Sequence, residues 1–468
     1  MKQFMRSLKV ILSGFLMISL FLLLGIVYQQ NKSQKLLLEA SNENKVALAS
    51  RYAEAGTIYS REMTKLAYSE NEERQYADDA EVARAFIQII GDYTHNIGNT
   101  VEAAYQDRLI GSGRTWSRQL LLDFTGKGMS GDDIALTMSS ELNLSAQNYL
   151  GDSSGSIVIL NYKTGEILCA VSTPNIYPEN VITWEDIPVS SLFNRSFNGQ
   201  YSPGSTFKII TGTAWTKSDN YDPNYIMTCK GEEPLIGAGS VFENRDEGSH
   251  GLVDMQTAYQ VSCNHFFADV ALQTGNNLLQ KTAEEYGFNQ ETKLGKLYAQ
   301  TGQYQAKEDQ YLLTWQAIGQ PIDENELTVS PLQLAMISGC IANDGIMMQP
   351  YLIDYFIDPS GNNYDQTEDE VFSKINKDAD LITIKNDLIS TVNYGMASNA
   401  AISGYSVGGK TGTAESVNDT GELQSNSLYT GFIDNPQYPY AIGIVIENGY
   451  FDTPYIAGQL LTEAIQMN

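Results

Sequence analysis

A serine followed three residues later by a lysine, Ser205-Thr206-Phe207-Lys208, is the first feature of this chain that could do chemistry. A hydroxyl is a poor nucleophile until a base takes its proton. A neutral amine one helical turn away can be that base once a desolvated, cationic setting lowers its pKa. If Ser205 opens a helix, the positive end of the helix dipole also favours the negative charge that develops there. Alone the pair is weak, and a surface serine beside a surface lysine is the ordinary reading. Two further groups change that. Ser262-Cys263-Asn264 follows 57 residues after Ser205, and Lys410-Thr411-Gly412-Thr413 follows after 205. The order S-x-x-K, S-x-N, K-T-G, on a helix start, a helix and a strand, is the equipment of acyl transfer through a serine ester.

Rival chemistries are poorly supported. His265 lies three residues after Ser262, but no G-x-S-x-G elbow surrounds Ser205, so a Ser-His-Asp triad is not expected. His265 should cap or pack the helix face opposite the motif, and His250 should sit in a loop. Three histidines and four cysteines with no C-x-x-C pair argue against a metal cluster, so neither metal nor cofactor is expected. Cys263 reads as space-filling, and Cys169 and Cys340 as buried free thiols. Cys229 is open, with a disulfide as one alternative in an exported protein. Glu285-Tyr286-Gly287-Phe288-Asn289 has an E-x-x-x-N spacing, but lies only 21 residues past Asn264, where Gly287 marks a helix end at the surface. Trp116 and Tyr201 are read as packing rather than groove-lining residues.

The elements that must position these groups are legible. Residues 156–174 hold two β-rich runs around Asn161-Tyr162-Lys163-Thr164-Gly165, a hairpin by turn chemistry. Residues 406–415, 427–434 and 440–448 are three more β-type runs, and a helix closes the chain. Helical spacing dominates between them, over 252–275 and 330–345, with stops at Gly275, Gly287 and Gly345. Residues 358–380 are polar and read as a surface insertion. The expected fold is α/β (α+β): one antiparallel sheet assembled from both ends of the domain, with a helical lobe between them.

The N-terminus carries a different signal. Val10 to Tyr28 is nineteen residues without a charge, long enough as a helix to span a hydrocarbon core of roughly 30 Å. Lys2, Arg6 and Lys9 precede it, so residues 1–9 are expected in the cytoplasm, 10–28 as an uncleaved anchor and the rest outside. A helical stalk is expected over 31–55 and strand-like alternation over 56–69, within a membrane-proximal region 29–130 ahead of a domain 131–468. The formal charge of −27 argues against a nucleic-acid partner.

On the three motifs and their surroundings, the chain resembles a class B penicillin-binding protein, a peptidoglycan D,D-transpeptidase. The resemblance includes DDIALTMSSELNLSAQ, GSIVILNYKTGEILCAVSTPNIYPEN, FNRSFNGQYSPGSTFK, AIGQPIDENELTVSPLQLAMISGCIANDG and GGKTGTAE, over roughly residues 130–468. It implies a five-stranded antiparallel sheet flanked by helices, with an all-helical subdomain. It implies Ser205 as nucleophile, Lys208 as its general base, Ser262 as a proton relay tuned by Lys410, and Asn264 holding Lys208 and the substrate amide. Backbone N–H groups of Ser205 and Thr413 would form the oxyanion hole. Thr411 and Thr413, with Gly412 between them and Lys410 nearby, would receive the substrate carboxylate. Stem peptides and β-lactams are the implied ligands, and a polytopic membrane glycosyltransferase the implied partner. A D,D-carboxypeptidase or β-lactamase on the same site, and a β-lactam sensor or non-catalytic scaffold, are the alternatives. No glycosyltransferase segment is legible, so the monofunctional form is expected. Two departures stand out: only about 100 residues separate the span from the transpeptidase region, and in Ala55-Gly56-Thr57-Ile58-Tyr59-Ser60-Arg61 Ala55 and Ser60 replace the arginine and aspartate of the family's R-G-x-I-x-D-R element.

Overall fold

The computed structural model describes residues 14–22, 24–25, 50–124, 128, 130–183, 187–234, 241–243, 248–320, 326–376, 379–417 and 423–467. Residues 14–22 of the expected span are helical, with Phe15, Leu16, Phe21 and Leu22 exposed. The rest of the span apart from 24–25, and most of the 31–55 stalk, lie outside the described residues. Among the described residues no helix is long and apolar enough to cross a membrane.

The central sheet has five antiparallel strands: β1 (Gly155–Asn161), β2 (Ile167–Thr173), β3 (Val407–Val417), β4 (Leu423–Ile433) and β5 (Tyr440–Ile446), in the order β3-β4-β5-β1-β2. The hairpin and the three-strand meander expected at opposite ends of the domain therefore share one sheet. Register is fixed by Gly443 opposite Val158 at the seam of the two halves, and by Lys410 opposite Thr430 near the far edge. Strands β2 and β5 are buried along their whole length, because helices cover both faces. On β1, Ile157 and Ile159 share one core with Leu142 and Ala146 of the helix Ser140–Leu150 and with Leu460 and Leu461 of the closing helix Thr453–Gln466. Val158 and Leu160 point the other way, into a core shared with the helix Pro331–Ala342. Ser330 caps that helix by accepting from the Gln333 N–H at 3.2 Å, with proline in its first turn. Gly443 lets it close on β5: a Cβ there would lie 2.2 Å from the Pro331 carbonyl oxygen.

A six-stranded sheet runs Asn363–Tyr364, Ile353–Ile357, Asp133–Leu136, Ile58–Tyr59, Lys65–Glu70, Glu73–Tyr76. The polar stretch 358–380 is thus more than a surface insertion. Its Tyr364 closes the edge of this sheet and donates to Asp132 at 2.6 Å, while Val371–Lys374 pairs with Ile346–Met348. Polarity alone could not reveal this, because two short half-exposed strands bury little. The substituted element at 55–61 is also integrated. Ser60, fully buried, donates to Glu62 at 2.8 Å, and Arg74 donates to the Gly56 carbonyl at 2.8 Å.

The largest departure from expectation falls at 252–275. One helix was expected. The chain instead forms a short strand (Gly251–Val253), a helix Met255–Gln260, a break, and a second helix Asn264–Thr274. Ser262 sits in the break with φ 57°, outside any helix. The apolar periodicity continues through the break, which is why sequence spacing does not report it.

Candidate active site

The three motifs converge. Gly204–Phe207 forms a tight 3₁₀ turn that runs into the helix Lys208–Thr216, so Ser205 and Lys208 face each other across one turn. Lys208 is fully buried. Its Nζ lies 2.9 Å from Ser205 Oγ, 3.1 Å from Ser262 Oγ, 2.7 Å from the Ser262 carbonyl and 2.5 Å from Asn264 Oδ1. The break in the 252–275 segment makes this possible, since the left-handed turn at Ser262 aims its carbonyl, its hydroxyl and the Asn264 amide at one amine. Lys410, also fully buried, comes from β3 and donates to Ser262 Oγ at 2.9 Å and to the Thr411 carbonyl at 3.0 Å. Ser205, Lys208, Ser262 and Lys410 form one chain of contacts.

The contacts define what the site can do. The Ser262 carbonyl and Asn264 Oδ1 can only accept, so each takes an N–H of Lys208. In the neutral amine that leaves one lone pair, and the Ser205 and Ser262 hydroxyls lie close enough to donate to it. An amine so held is oriented to take the Ser205 proton, which is the geometric requirement for a general base.

Gly204 adopts φ 53°, and a Cβ there would lie 2.4 Å from the Thr413 carbonyl oxygen and 3.1 Å from its nitrogen. That approach sets the backbone of the nucleophile against the edge strand β3. On β3 burial alternates: Lys410 and Gly412 are buried, Thr411 is half-buried and Thr413 is exposed. Gly412 is required by packing, since a Cβ would meet the Pro203 carbonyl at 2.9 Å. All eight candidate residues, Ser205, Lys208, Ser262, Asn264, Lys410, Thr411, Gly412 and Thr413, therefore belong to one locus.

Several supporting residues carry no motif. The Tyr259 hydroxyl donates to the Lys208 carbonyl at 2.9 Å, and Gly212 makes room for it, because a Cβ there would lie 2.1 Å from that hydroxyl. Gln320 donates to the Thr413 carbonyl at 2.8 Å, and Gly319 accepts from the Gly204 N–H at 3.0 Å. Phe207 packs between Phe288 and Tyr304 at ring separations of 5.7 and 5.0 Å. These partners are remote in sequence, and only Gly212, a glycine inside a helix, offers a signal.

The residues set aside in the sequence have other places. Glu285 ends the helix Asn276–Glu285 as expected, partly exposed, and accepts from Lys217 at 2.7 Å and from Asn376. Trp116 is exposed at the start of its helix, and Tyr201 donates to Glu447 at 2.7 Å. Cys169 and Cys340 are buried free thiols, and burial pushes both well up. Cys229 forms no disulfide. His265 and Cys263 are buried, as a packing role requires, and both lie beside Cys229. His265 is buried with Nδ1 3.4 Å from Cys229 Sγ, and His250 Nδ1 lies 3.6 Å from the same sulfur. Cys263 joins Cys229 and His250 with all three ligand atoms within 4.8 Å of one another. The cluster was invisible to a spacing rule, because its members come from a strand, a loop and a helix start.

The chain is similar to known proteins. The penicillin-binding protein transpeptidase domain profile matches residues 155–466. The peptidoglycan D,D-transpeptidase PbpA of Mycolicibacterium smegmatis is 29% identical over 388 residues, 78% of this chain and 78% of that protein. Among solved structures, the D,D-transpeptidase domain of a peptidoglycan glycosyltransferase from Eggerthella lenta superposes with a TM-score of 0.75 at 25% identity, covering 89% of this chain and 99% of that one. A penicillin G acyl-enzyme complex of penicillin-binding protein A from M. tuberculosis does so with a TM-score of 0.75 at 25% identity, over 88% and 99%.

Proposed function

Since this chain belongs to the penicillin-binding protein transpeptidase domain family, we propose that it is a class B enzyme that cross-links peptidoglycan stem peptides through an acyl-enzyme at Ser205 and is inhibited when β-lactams occupy the same serine. The observation that carries the reading is the Lys208 amine, buried and 2.9 Å from Ser205 Oγ, with its other contacts holding it in place. Ser205 Oγ attacks the penultimate D-alanine carbonyl as its proton passes to Lys208. The oxyanion is met by the backbone N–H groups of Ser205 and Thr413. The intermediate collapses, the peptide C–N bond breaks, and the leaving D-alanine amine takes a proton through Ser262, beside Lys410. An amine of a second stem peptide then attacks the Ser205 ester, forming the cross-link and returning the proton to the serine. Thr411 and Thr413 receive the terminal carboxylate at the edge of β3.

Glu285 is held by Lys217 and Asn376, which disfavours the β-lactamase alternative in which it activates water. The apolar run Val10–Tyr28 behind three basic residues supports an anchor, with the catalytic domain outside the cytoplasmic membrane, where a polytopic glycosyltransferase would supply glycan strands. Labelling the full-length chain with fluorescent penicillin tests the chemistry. The wild type should give an adduct that persists for many minutes, and Ser205→Ala should give none. Undiminished labelling of Ser205→Ala would sink the assignment, and turnover in seconds that is lost in Glu285→Gln would favour the lactamase. A reporter active only outside the membrane, fused after Asn468, should be active.

A further inference from the structure

A half-enclosed cavity of about 220 Å³ lies in the helical lobe, apart from the reacting serine. Trp215, at the far end of the helix Lys208–Thr216, forms part of its wall, ~10 Å along the helix axis from Lys208. Tyr221, Tyr225 and Phe266 continue that wall. The Trp215 ring meets Tyr221 at 5.8 Å and Tyr225 at 5.9 Å, both edge to face, and Tyr225 meets Phe266 at 5.9 Å. Each ring is held by its neighbours, so the aromatic corner is preformed.

The rest of the wall is acidic. Asp222, Asp254 and Asp387 line the cavity, and among the described residues no lysine or arginine does. Two carboxylates here serve as helix caps: Asp254 accepts from the Thr257 N–H at 2.8 Å, and Asp380 from the Thr383 N–H at 3.0 Å. On the helix Asn264–Thr274, Asp269 accepts from the Tyr225 hydroxyl at 2.6 Å. Asp387 differs from all of these. It is 3% exposed, and among the described residues its Oδ2 has no hydrogen-bond partner. A buried carboxylate oxygen without a donor is costly, and its soft terminal torsion lets either oxygen turn to the cavity. Lysines on the adjoining segments are engaged elsewhere: Lys217 with Glu285 at 2.7 Å and Lys385 with Asp344 at 2.9 Å.

We propose that this cavity binds a primary ammonium group on a short alkyl chain, with the nitrogen donating to Asp387 and the methylenes against the aromatic corner. Ring faces attract positive charge, and they also accept apolar carbon, which a bare metal ion does not bring. A carboxylate oxygen needs an N–H, which a quaternary ammonium lacks. The volume is below that of a drug-sized pocket, so the chain is short. Burial and then the charge of Asp254 push the Asp387 carboxyl up to about 7, against a hydrogen bond from Gln256 and with a further push from Asp380. An arriving cation stabilises the ionised form, so binding strengthens as pH rises through about 7.

Isothermal titration calorimetry on the full-length chain in detergent tests this, with n-butylammonium as the probe. Binding at about pH 8 should be roughly 10-fold tighter than at about pH 5, where Asp387 is protonated and the amine is still charged. Butan-1-ol, which has no charge, and tetramethylammonium, which has no N–H, should each bind the wild type about 10-fold more weakly. These comparisons do not depend on any variant folding. Asp387→Asn, which keeps the shape, should weaken n-butylammonium by about 10-fold and abolish the pH dependence. Tyr221→Leu should weaken it by about 3-fold. Nα-acetyl-lysine methylamide and 1,4-diaminobutane, titrated in parallel, distinguish an ammonium carried on a peptide from a free diamine, and tight binding of either supports the site. Butan-1-ol binding as well as n-butylammonium would overturn the site. Tetramethylammonium binding as well, or an unchanged affinity in Asp387→Asn, would overturn the role of Asp387. Ser205 takes no part in this binding, so failure here leaves the acyl-enzyme assignment standing, and the reverse also holds.

Discussion

Two regions of the molecule bury positive charge in contrasting ways. Around the six-stranded sheet, Arg74 meets Glu102 at 2.8 Å and Arg114 meets Asp132 at 2.8 Å, with every one of these side chains no more than 2% exposed. Burial pushes the Glu102 carboxyl up, while the Arg74 charge pulls it back. Around Ser205, the buried Lys208 and Lys410 meet serine hydroxyls, an asparagine oxygen and backbone carbonyls. A guanidinium on a carboxylate is pinned in its charged form, and its hydrogen bonds hold two elements together. An amine among neutral oxygens keeps its place whether or not it holds the extra proton. The first arrangement serves architecture, and the second suits the proton transfer proposed above. The choice of arginine in one region and lysine in the other follows from that difference.

This contrast can be broken from either side. The largest expected effect is at Lys208. Lys208→Ala should slow penicillin acylation by about 10²–10⁴-fold, the usual contribution of a general base, and Lys208→Arg should not rescue it, because a guanidinium does not give up its proton. Stopped-flow labelling measures both. If Lys208→Arg acylated at the wild-type rate, proton transfer through this residue would be refuted.

In the other region the balance reverses. Arg74→Met leaves Glu102 buried without its cation and should lower unfolding stability by about 3–5 kcal/mol, while Arg74→Met with Glu102→Leu should recover most of the loss. The acylation rate of the molecules that remain folded should not change. Chemical denaturation with activity-normalised labelling separates the two. A slower rate per folded molecule would mean that the regions are coupled.

Gly204→Ala should show both kinds of effect, because its φ of 53° and its closeness to the Thr413 carbonyl serve the fold and the reacting backbone together. A loss of about 1–3 kcal/mol is expected from the strained conformation, together with slower acylation. A stability loss with normal kinetics would show that the approach of Gly204 to Thr413 does not shape the oxyanion site.

The smallest effect concerns a buried carboxylate of a third kind. Asp387, on the helix Leu381–Tyr394, is pushed up to about 7 by burial and then by the negative charges of Asp254 and Asp380. The folded state thus holds this proton more tightly than the unfolded chain does. Its contribution to stability is present below pH about 4 and is lost as pH rises through about 7. Asp387→Asn should raise the thermal midpoint at pH 8 and leave it almost unchanged at pH 4, by differential scanning calorimetry. An equal shift at both pH values would assign the effect to packing instead.

The sequence determined a great deal by itself. Strand periodicity announced all five strands of the central sheet, because a sheet covered on both faces needs long apolar runs such as YAIGIVI. The motif order singled out eight candidate residues, which the fold brings to one locus, because acyl transfer calls for those residue types. Local glycines marked helix ends at Gly275 and Gly345, where φ values of 83° and 86° are needed.

What the tertiary structure decided is where the chain leaves its local pattern. The apolar spacing of 252–275 is that of one helix, yet the chain breaks at Ser262 because Lys208, 54 residues earlier, offers a donor for its carbonyl. The polar segment 358–380 forms strands because Ile353–Ile357 and Ile346–Met348 present open edges. The cysteines and histidines at 229, 250, 263 and 265 meet only because a ribbon and a helix start converge. A single sequence reports the preference of each segment for its own neighbours. It does not report a hydrogen bond or a contact that exists only after another segment has arrived.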